Sequence, residues 1–485
     1  MLSTAGVVVQ DIKPHDDPIL SLDGTLASLE NEDLNILVDM SKLDTLEALI
    51  DPLVESMRQK LCDEQAPCML PTCLNQVPEG SESGSYLSVD LGGSTVRVAF
   101  VKMYGSSKAE ILYKVSHPVS AEIKCLSGKG FFRWLASKIG DAINHAIEHK
   151  WIPADYSDLV TGLSWSFPFR QHSVERGFIA AMGKGYTVTD EILGWDLKES
   201  FETAAQELGA RIRVTAVVND TAASLMAHAY ASPQTRMGLI LGTGINACAM
   251  FPTNTMGTKA HGLVLRGDES QCLVNTELSM FGTGIIPDTR WDDEIDRDNE
   301  RPGYQPLECK VSGRYLGEIV RLIVRDFAQA GVLFKNGALP KAFDTRFGFE
   351  SSLMASIEQH HINKRHELAL KEFTECHPLS DGSSISIVDI KLISEIITIV
   401  SSRAAGLTAC SLVALTAMLP EDTKNCVIAY NGTVIEKYPM FLERCQKYLD
   451  ELGRSRGRKL ILEAAGDGSL LGPAVASAMF SDKVM

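Results

Sequence analysis

The segment Ser88-Val-Asp-Leu-Gly-Gly-Ser-Thr-Val-Arg-Val-Ala-Phe-Val101 runs from one apolar stretch through a glycine pair into a second apolar stretch. This pattern predicts a β-hairpin, because valine-rich runs favour strands and glycines favour a tight turn. Gly92 and Gly93 allow a positive-φ turn that brings backbone N–H groups against an anion such as phosphate. Asp90 ends the first strand, where a carboxylate can hold Mg²⁺ through water. The alternative is an ordinary hairpin with turn residues only.

A second segment repeats this plan downstream: Gly238-Leu-Ile-Leu-Gly-Thr-Gly-Ile-Asn-Ala-Cys-Ala-Met-Phe251. It again predicts a strand, a glycine turn and a returning strand. Two such hairpins favour a duplicated architecture with one phosphate-binding turn in each half. A nucleotide held between two facing turns would suit a phosphotransferase. The alternative is two unrelated hairpins in an α/β protein.

Composition limits the class of protein. The chain has 485 residues, enough for two domains, and its 45% hydrophobic and 22% charged residues are typical of a soluble globular protein. A net charge of −16 disfavours nucleic acid and anionic membranes as partners, so local groups must bind any phosphate. Eleven cysteines without a CxxC pair favour reduced thiols. We interpret Cys62, Cys68 and Cys73 as structural thiols rather than a zinc site.

The N-terminus lacks the basic and apolar regions of a secretory signal. No run of apolar residues in the sequence approaches the roughly 20 residues that span a bilayer. We therefore expect a cytoplasmic protein without a membrane partner.

The order of apolar patterns predicts alternating strands and helices, and hence an α/β fold. Helical periodicity extends from Leu34 to Leu61, with expected breaks at Ser41 and Pro52. Residues 287–306 carry seven acidic side chains and are predicted to form a solvated surface loop. The region from residue 316 to residue 418 is predicted to be mostly helical.

Four further segments place polar side chains where strands are predicted to end, or in a compact basic loop. They are Ser164-Trp-Ser-Phe-Pro-Phe169, Gly183-Lys-Gly-Tyr186, Val217-Val-Asn-Asp-Thr221 and Asn275-Thr-Glu277. In this order around two phosphate hairpins, the segments closely resemble the hexokinase family, and the resemblance covers residues 34–480.

The resemblance implies an α/β fold of the duplicated actin-like (ribonuclease H-like) type, with two lobes and a cleft between them. We expect a small lobe from residues 84–218 and 463–480, a large lobe from residues 30–83 and 219–462, and a loose arm at residues 1–29. The implied reaction is attack of a sugar 6-hydroxyl on the γ-phosphate of Mg-ATP, with lobe closure over both substrates.

The resemblance also assigns site residues. The ATP side is matched by Asp90, Gly92, Gly93, Ser94, Arg97, Gly242, Thr243, Gly244, Gly432, Thr433, Gly466, Gly468 and Ser469. The sugar side is matched by Ser166, Gly183, Lys184, Asn219, Asp220, Asn246, Glu277 and Glu308. Asp220 is the implied general base, Lys184 the second catalytic residue, and Asp90 the implied Mg²⁺ residue through water.

The implied role of Asp220 agrees with elementary chemistry. A sugar hydroxyl is a poor nucleophile, and a carboxylate that takes its proton contributes roughly 10²–10⁴ in rate. A helix N-terminus favours the ionised carboxylate that a base requires. The alternatives are a plain helix N-cap for Asp220 and a solvent-exposed side chain for Lys184.

Several positions depart from glucose-type members of the family, which usually have Thr at position 183, Phe at 186, Thr at 245, Trp at 278 and Asp at 431. This chain has Gly183, Tyr186, Ile245, Leu278 and Asn431. The smaller side chains at 183 and 278 predict room for a large C2 substituent, and the Gly-Lys-Gly-Tyr pattern is similar to that of fungal N-acetylglucosamine kinases. We therefore expect N-acetylglucosamine as the acceptor. The alternatives are a glucose or broad-specificity hexokinase and a regulatory relative with little turnover, since Asn431 and Leu470-Leu471 alter the ATP side.

Overall fold

The structure is a computed structural model that describes residues 31–182, 185–187, 189–265, 268–420 and 423–481. The arm expected at residues 1–29 lies outside the described residues. The strands are β1 (Leu70–Pro71), β2 (Ser83–Leu91), β3 (Thr95–Gly105), β4 (Lys108–Pro118), β5 (Leu159–Trp165), β6 (Phe169–Ser173), β7 (Arg176–Ile179), β8 (Ile212–Val218), β9 (Thr235–Leu241), β10 (Ile245–Pro252), β11 (Gln271–Asn275), β12 (Asn425–Asn431) and β13 (Lys459–Ala464). The helices are α1 (Glu32–Asp39), α2 (Leu43–Cys62), α3 (Ala121–Lys124), α4 (Gly128–Glu148), α5 (Thr189–Ile192), α6 (Leu197–Glu207), α7 (Asp220–Ala231), α8 (Arg290–Arg297), α9 (Pro306–Val311), α10 (Gly313–Gln329), α11 (Ser351–Ile362), α12 (His366–Cys376), α13 (Ile387–Thr416), α14 (Thr433–Lys437), α15 (Phe441–Ser455) and α16 (Gly468–Phe480).

The first sheet contains the predicted first hairpin. Its strand order is β4-β3-β2-β5-β8. Strands β2, β3 and β4 pair antiparallel, whereas β5 and β8 continue the sheet in parallel on the other side of β2. Helices α4 and α6 lie in the connections that return the chain to these parallel strands, as parallel pairing requires.

The second sheet repeats the first. Its order is β1-β11-β10-β9-β12-β13, with β9, β10 and β11 antiparallel and β12 and β13 parallel beyond β9. The short strand β1 is added outside β11. Apart from β1, each sheet has three antiparallel strands followed by two parallel strands on the far side of the first. The predicted duplication is therefore confirmed.

Each half ends in a helix, α7 after β8 and α16 after β13, and these two helices join the halves. Helix α16 packs against α7 and the first sheet, and α7 also packs against β9 of the second sheet. A side chain at Gly472 on α16 would place its Cβ 2.0 Å from the carbonyl oxygen of Ala223 on α7. The close contact between the two helices therefore requires glycine there. The lobe boundaries at 84–218 and 463–480 stay a prediction.

Helix α13 corrects the expectation that no segment is long and apolar enough to span a bilayer. By length and composition it qualifies, but 94% of its most apolar window is buried inside the protein. It forms the centre of the core around the second sheet, where α2, α10 and α15 pack against it. Ser401, Ser402 and Arg403 interrupt the apolar run in sequence, yet all three side chains are buried.

The predicted helix break at Ser41 is confirmed, since α1 ends at Asp39 and α2 begins at Leu43. The break predicted at Pro52 is wrong, because α2 continues through it to Cys62. Leu49, Ile50 and other apolar residues of the same face are buried in the core, and their packing outweighs the hydrogen bond that proline removes.

The acidic segment 287–306 is not simply a surface loop, because it contains helix α8. Thr289 and Asp292 form a capping box at the start of this helix. The Asp292 carboxylate is buried and accepts hydrogen bonds from Arg403 on α13 at 2.8 and 3.0 Å. Arg403 therefore pairs with one of the seven acidic side chains of this segment, Asp292, inside the core.

Candidate active site

The first hairpin turns tightly at Gly92, Gly93 and Ser94. The backbone N–H of Gly92 donates to the Thr95 carbonyl at 3.0 Å, and Val119 donates to the Ser94 carbonyl at 2.9 Å. Neither glycine has a positive φ, so the turn does not use the conformational freedom that the glycines allow. A Cβ at Gly92 would only touch the Thr95 carbonyl, at 3.5 Å. Glycine at 92 is therefore not required by the backbone conformation, and its missing side chain leaves this part of the turn accessible.

Asp90 lies at the end of β2, directly opposite Arg97 on β3. Arg97 Nη2 and Nε contact Asp90 Oδ2 at 2.6 and 2.9 Å. Oδ1 is also buried and makes no hydrogen bond within 3.5 Å to the described residues, although the hydroxyl of Ser164, the register partner of Asp90 on β5, also interacts with this carboxyl group. Burial raises the pKa of the Asp90 carboxyl, and the charge of Arg97 only partly opposes this rise. A buried carboxylate with one oxygen available fits a hard cation bound through water.

The start of helix α7 holds the predicted general base. Asn219 is the N-cap, since its Oδ1 accepts from the Ala222 N–H at 2.8 Å and its Nδ2 donates to Thr221 at 2.9 Å. Asp220 is the first helical residue and accepts from the Thr221 N–H at 2.8 Å. The plain N-cap interpretation of Asp220 is therefore wrong. Ser164 on β5 pairs with Asp90 on β2 and with Val218 on β8, so Asp220, two residues after Val218, begins α7 at the same end of the sheet as Asp90.

The second turn, Gly242-Thr-Gly244, is closed by a 2.9 Å hydrogen bond from the Gly242 N–H to the Gly244 carbonyl. The first two residues of α10 donate hydrogen bonds to this turn. The Gly313 N–H donates to the Gly242 carbonyl at 2.8 Å, and the Arg314 N–H donates to the Thr243 carbonyl at 3.3 Å. Gly432, which precedes Thr433 and α14, has a φ of 125°, and a Cβ there would lie 2.3 Å from the Leu241 carbonyl. The structure thus brings the Gly432-Thr433 segment against the second turn.

Asn431, at the end of β12, forms hydrogen bonds to the predicted ATP segment at Gly466 and to Glu436 and Ser224. In the amide orientation that satisfies both ends, Nδ2 donates to the Gly466 carbonyl and to Glu436 Oε1, each at 3.0 Å, and Oδ1 accepts from Ser224 at 3.1 Å. An aspartate could accept from Ser224 but could not donate the hydrogen bonds to Gly466 and Glu436. Gly468 and Ser469 begin α16 beside this network. Leu470 is buried against α7 in the core rather than facing the turn.

On the predicted sugar side, Asn246, Asn275 and Glu277 form a hydrogen-bonded row. Asn246 Nδ2 donates to Asn275 Oδ1 at 2.9 Å, and Asn275 Nδ2 donates to Glu277 Oε1 at 2.8 Å. Glu277 has a φ of 49°, an unfavourable backbone conformation for a residue other than glycine. Such strain is common at functional sites. Asn275 was not predicted as a site residue, although its segment was identified.

Glu308, on α9, supports the second turn from the sugar side. Its Oε2 accepts from the Ile245 N–H at 3.0 Å. Burial raises the pKa of Tyr304, and the charges of Glu277 and Glu308 add to this rise, so all three side chains share one region. Tyr304 was not among the predicted site residues.

Ser166 follows β5, and its N–H donates to the Leu91 carbonyl at 3.1 Å, which places it beside the first hairpin. Gly183 and Lys184 lie outside the described residues. Tyr186, from the same segment, is buried, and its hydroxyl donates to the Gly92 carbonyl at 3.3 Å. Its ring packs against Phe131 and Phe167, and burial raises its pKa to about 12. A contact of this segment with the first glycine turn was not predicted.

Leu278 was expected to open space beside the sugar. Its side chain is instead fully buried in the core, and its N–H donates to Asn246 Oδ1 at 3.2 Å. The structure therefore shows no open space at this side chain. A separate cavity of about 470 Å³ lies between α4, α6 and β7, and none of the predicted site residues lines it.

Comparison with known proteins agrees with this geometry. Two hexokinase family models match consecutive parts of the chain, over residues 37–230 and 236–479. Hexokinase-1 of Schizosaccharomyces pombe is 30% identical over 415 residues, which are 85% of this chain and 82% of that protein. N-acetylglucosamine kinase 1 of Candida albicans is 28% identical over 459 residues, which are 88% of this chain and 89% of that protein.

Solved structures confirm the fold. A hexokinase from Schistosoma mansoni, complexed with glucose, matches with a TM-score of 0.78 and 24% identity, over 94% of this chain and 99% of that one. Another hexokinase crystal structure matches with a TM-score of 0.74 and 24% identity, over 94% and 98% of the two chains. The individual site residues stay predictions. From its two matching family models and its relatives, the chain belongs to the hexokinase family and is a sugar kinase.

Proposed function

We propose that this sugar kinase transfers the γ-phosphoryl group of ATP to the 6-hydroxyl of a hexose and that its preferred acceptor is N-acetylglucosamine. The observation that carries the reaction type is the position of Asp220. This carboxylate begins α7 two residues after Val218, and Val218 and Asp90 are both register partners of Ser164 on β5, so Asp220 and Asp90 lie at the same end of the first sheet.

Phosphoryl transfer requires mainly positioning and neutralisation of charge. The N–H groups of Gly92 and Gly242 are hydrogen-bonded within their own turns, so the other backbone N–H groups of the two turns are the ones proposed to contact the phosphate oxygens of ATP, and the Gly432 and Gly466 segments suit its adenosine end. Asp90 would hold Mg²⁺ through water with its available Oδ1, and the bound ion would neutralise charge on the phosphates. Arg97 fixes the other carboxylate oxygen at 2.6 Å, which orients Oδ1.

Asp220 is the proposed general base. It takes the proton of the attacking hydroxyl, and its position at a helix N-terminus stabilises the ionised form that can do so. Its hydrogen bond from the Thr221 N–H holds one carboxylate oxygen in place. Lys184 is proposed to direct its charge toward the transferring phosphoryl group.

The proposed sugar contacts are Ser166, Asn219, Asn246, Glu277 and Glu308. Carboxylate and amide groups held by neighbouring hydrogen bonds distinguish one polyol from another, because an unsuitable sugar leaves them unpaired. The Asn246–Asn275–Glu277 row and the Glu308–Ile245 hydrogen bond supply such fixed groups.

Two observations support N-acetylglucosamine. Position 183 is glycine where glucose-type relatives have threonine, and the similar proteins include an N-acetylglucosamine kinase. Leu278 does not contribute, because its side chain is buried in the core. Glucose is the second candidate, since several of the similar proteins are named hexokinases.

A sugar panel in a coupled assay for ADP release tests the proposal. Purified protein with Mg-ATP should turn over N-acetylglucosamine faster than glucose at equal concentrations. Equal or faster turnover of glucose would contradict the sugar assignment while keeping the kinase. Absence of turnover with every sugar would favour a regulatory protein.

A further inference from the structure

A group of possible metal ligands lies outside the cleft, at the C-terminal end of α4. It consists of His145, Glu148 and His149, whose nearest ligand atoms all lie within 4.8 Å of one another. Residues three and four positions apart share one face of a helix, so the backbone itself brings these side chains together. We refer to these three residues as the His-Glu-His group.

Hydrogen bonding prepares one histidine for coordination. His149 Nδ1 lies 2.9 Å from the His145 carbonyl oxygen, which can only accept, so Nδ1 carries the proton. The Nε2 lone pair of His149 is then directed away from this carbonyl and is available. Metal-binding histidines commonly have this arrangement, in which a backbone carbonyl fixes the tautomer.

The surroundings of the group also favour a cation. The C-terminal end of a helix carries partial negative charge, and Glu148 adds a full negative charge. Aromatic rings hold the histidines in place: Tyr113 on β4 stacks on His145 at 4.2 Å, and Trp151 lies 5.1 Å from His149. The His145 and His149 rings themselves are 4.0 Å apart.

We propose that the His-Glu-His group binds a divalent transition metal of the zinc class. Two imidazoles and one carboxylate suit Zn²⁺ or Ni²⁺, whereas Mg²⁺ prefers oxygen ligands, so this site differs from the Mg²⁺ position proposed at Asp90. Three protein ligands leave coordination positions open to water. The bound ion would join His145 in the last turn of α4 to the C-cap residue His149. This turn packs on β4 through the contact between His145 and Tyr113.

The experiment measures binding of Zn²⁺ alone to the full chain, without sugar or ATP, by calorimetry. We expect one site that weakens at least tenfold in His149→Ala and in His145→Ala, and also weakens in Glu148→Gln. His172→Ala is the matched control, because His172 is exposed on β6 and does not belong to the group. Zn²⁺ bound by exposed cysteines is common to all variants and cancels in the comparison.

Trp151 provides a second readout. Ni²⁺ bound to the His-Glu-His group should quench the fluorescence of Trp151. The loss of tryptophan fluorescence on adding Ni²⁺ should therefore be largest for the parent protein and smaller for Trp151→Phe and His149→Ala. Unchanged Zn²⁺ affinity in the double variant His145→Ala/His149→Ala would overturn the proposal, as would equal loss in the His172 control. Sugar kinase activity does not enter either measurement, so failure here is distinct from failure of the proposed function.

Discussion

Two buried aspartates, Asp90 in the first hairpin and Asp292 in the large core, have opposite electrostatic environments. Burial alone would raise the pKa of Asp292, but Arg403 and Lys310 lower it well below its usual range. Arg403 contacts both carboxylate oxygens, and Thr289 donates to one of them. At Asp90, burial dominates, and the pKa is raised although Arg97 contacts Oδ2.

The difference lies in how completely each carboxylate is paired. The Arg403 side chain is 0% exposed and acts at low dielectric, whereas the Arg97 side chain is 37% exposed and is screened by water. Asp90 also keeps one oxygen without a close hydrogen bond to the described residues. The carboxylate that supports the fold is fully paired, and the carboxylate that we assign to chemistry retains binding capacity at a cost in stability.

The largest effect is expected on the catalytic side of this comparison. Asp220→Asn removes the proposed base but keeps its shape, so turnover should fall by about 10²–10⁴. Binding of sugar, measured by calorimetry, should remain detectable, and the melting temperature should change little. A reduction below about tenfold would mean that another group takes the proton.

In contrast to Asp220→Asn, the variant Asp292→Asn should lose stability and keep its catalytic turnover. It leaves Arg403 buried without a charged partner, so the free energy of unfolding should fall by about 3–5 kcal/mol, measured by denaturant titration. The remaining folded protein should keep its turnover per active molecule. The control Asp293→Asn changes an exposed neighbour and should alter stability by less than about 0.5 kcal/mol. A similar loss in both variants would contradict the role of the buried pair.

Asp90→Asn should separate stability from activity. Turnover should fall strongly with the proposed Mg²⁺ carboxylate removed, yet the protein without ligands should gain about 1 kcal/mol, because no buried charge remains. Melting temperatures compared at neutral pH check this gain. A lower melting temperature for the variant would show that the Arg97 contact outweighs burial.

The stability that Asp90→Asn gains over the parent protein should also depend on pH, and the raised pKa of Asp90 determines the direction of this dependence. The parent carries the unfavourable ionised carboxylate at pH values above that pKa. As the pH falls through it, Asp90 takes up a proton in the folded protein and the two melting temperatures converge. For Asp292 the lowered pKa predicts the reverse: its stabilisation is complete above the ordinary value of 3.8 and is lost only in stronger acid.

The parts of the molecule that follow from local pattern were predictable. Alternating apolar residues around glycine pairs predicted both hairpins, and their repetition predicted the duplicated sheets. Asp220 could be placed at a helix start, but the N-cap role of Asn219 depended on side-chain geometry that spacing does not reveal.

Contacts between distant residues could not be predicted. Asp292 and Arg403 are 111 residues apart, and nothing near Asp292 distinguishes it in sequence from the exposed acids beside it. Likewise the course of α2 through Pro52 depends on the core that other segments supply. The local sequence determines which helices and strands form. Whether a charged side chain is buried depends on which of these elements pack together in the folded protein.

The smallest expected effect concerns the link between the sugar segment and the first phosphate turn. Tyr186 is 94 residues from Gly92 in sequence, and its hydroxyl donates to the Gly92 carbonyl at 3.3 Å. Tyr186→Phe keeps the ring packing and removes the hydrogen bond to the Gly92 carbonyl, which contributes about 1 kcal/mol. We expect KM for ATP to rise by about two- to fivefold with little change in melting temperature, because the turn loses one support near the phosphates. Tyr104→Phe, at the far end of the same hairpin, is the control and should leave KM unchanged. If both variants behave alike, the hydroxyl of Tyr186 does not position the turn, and the cleft depends on Asp90 and its own strand alone.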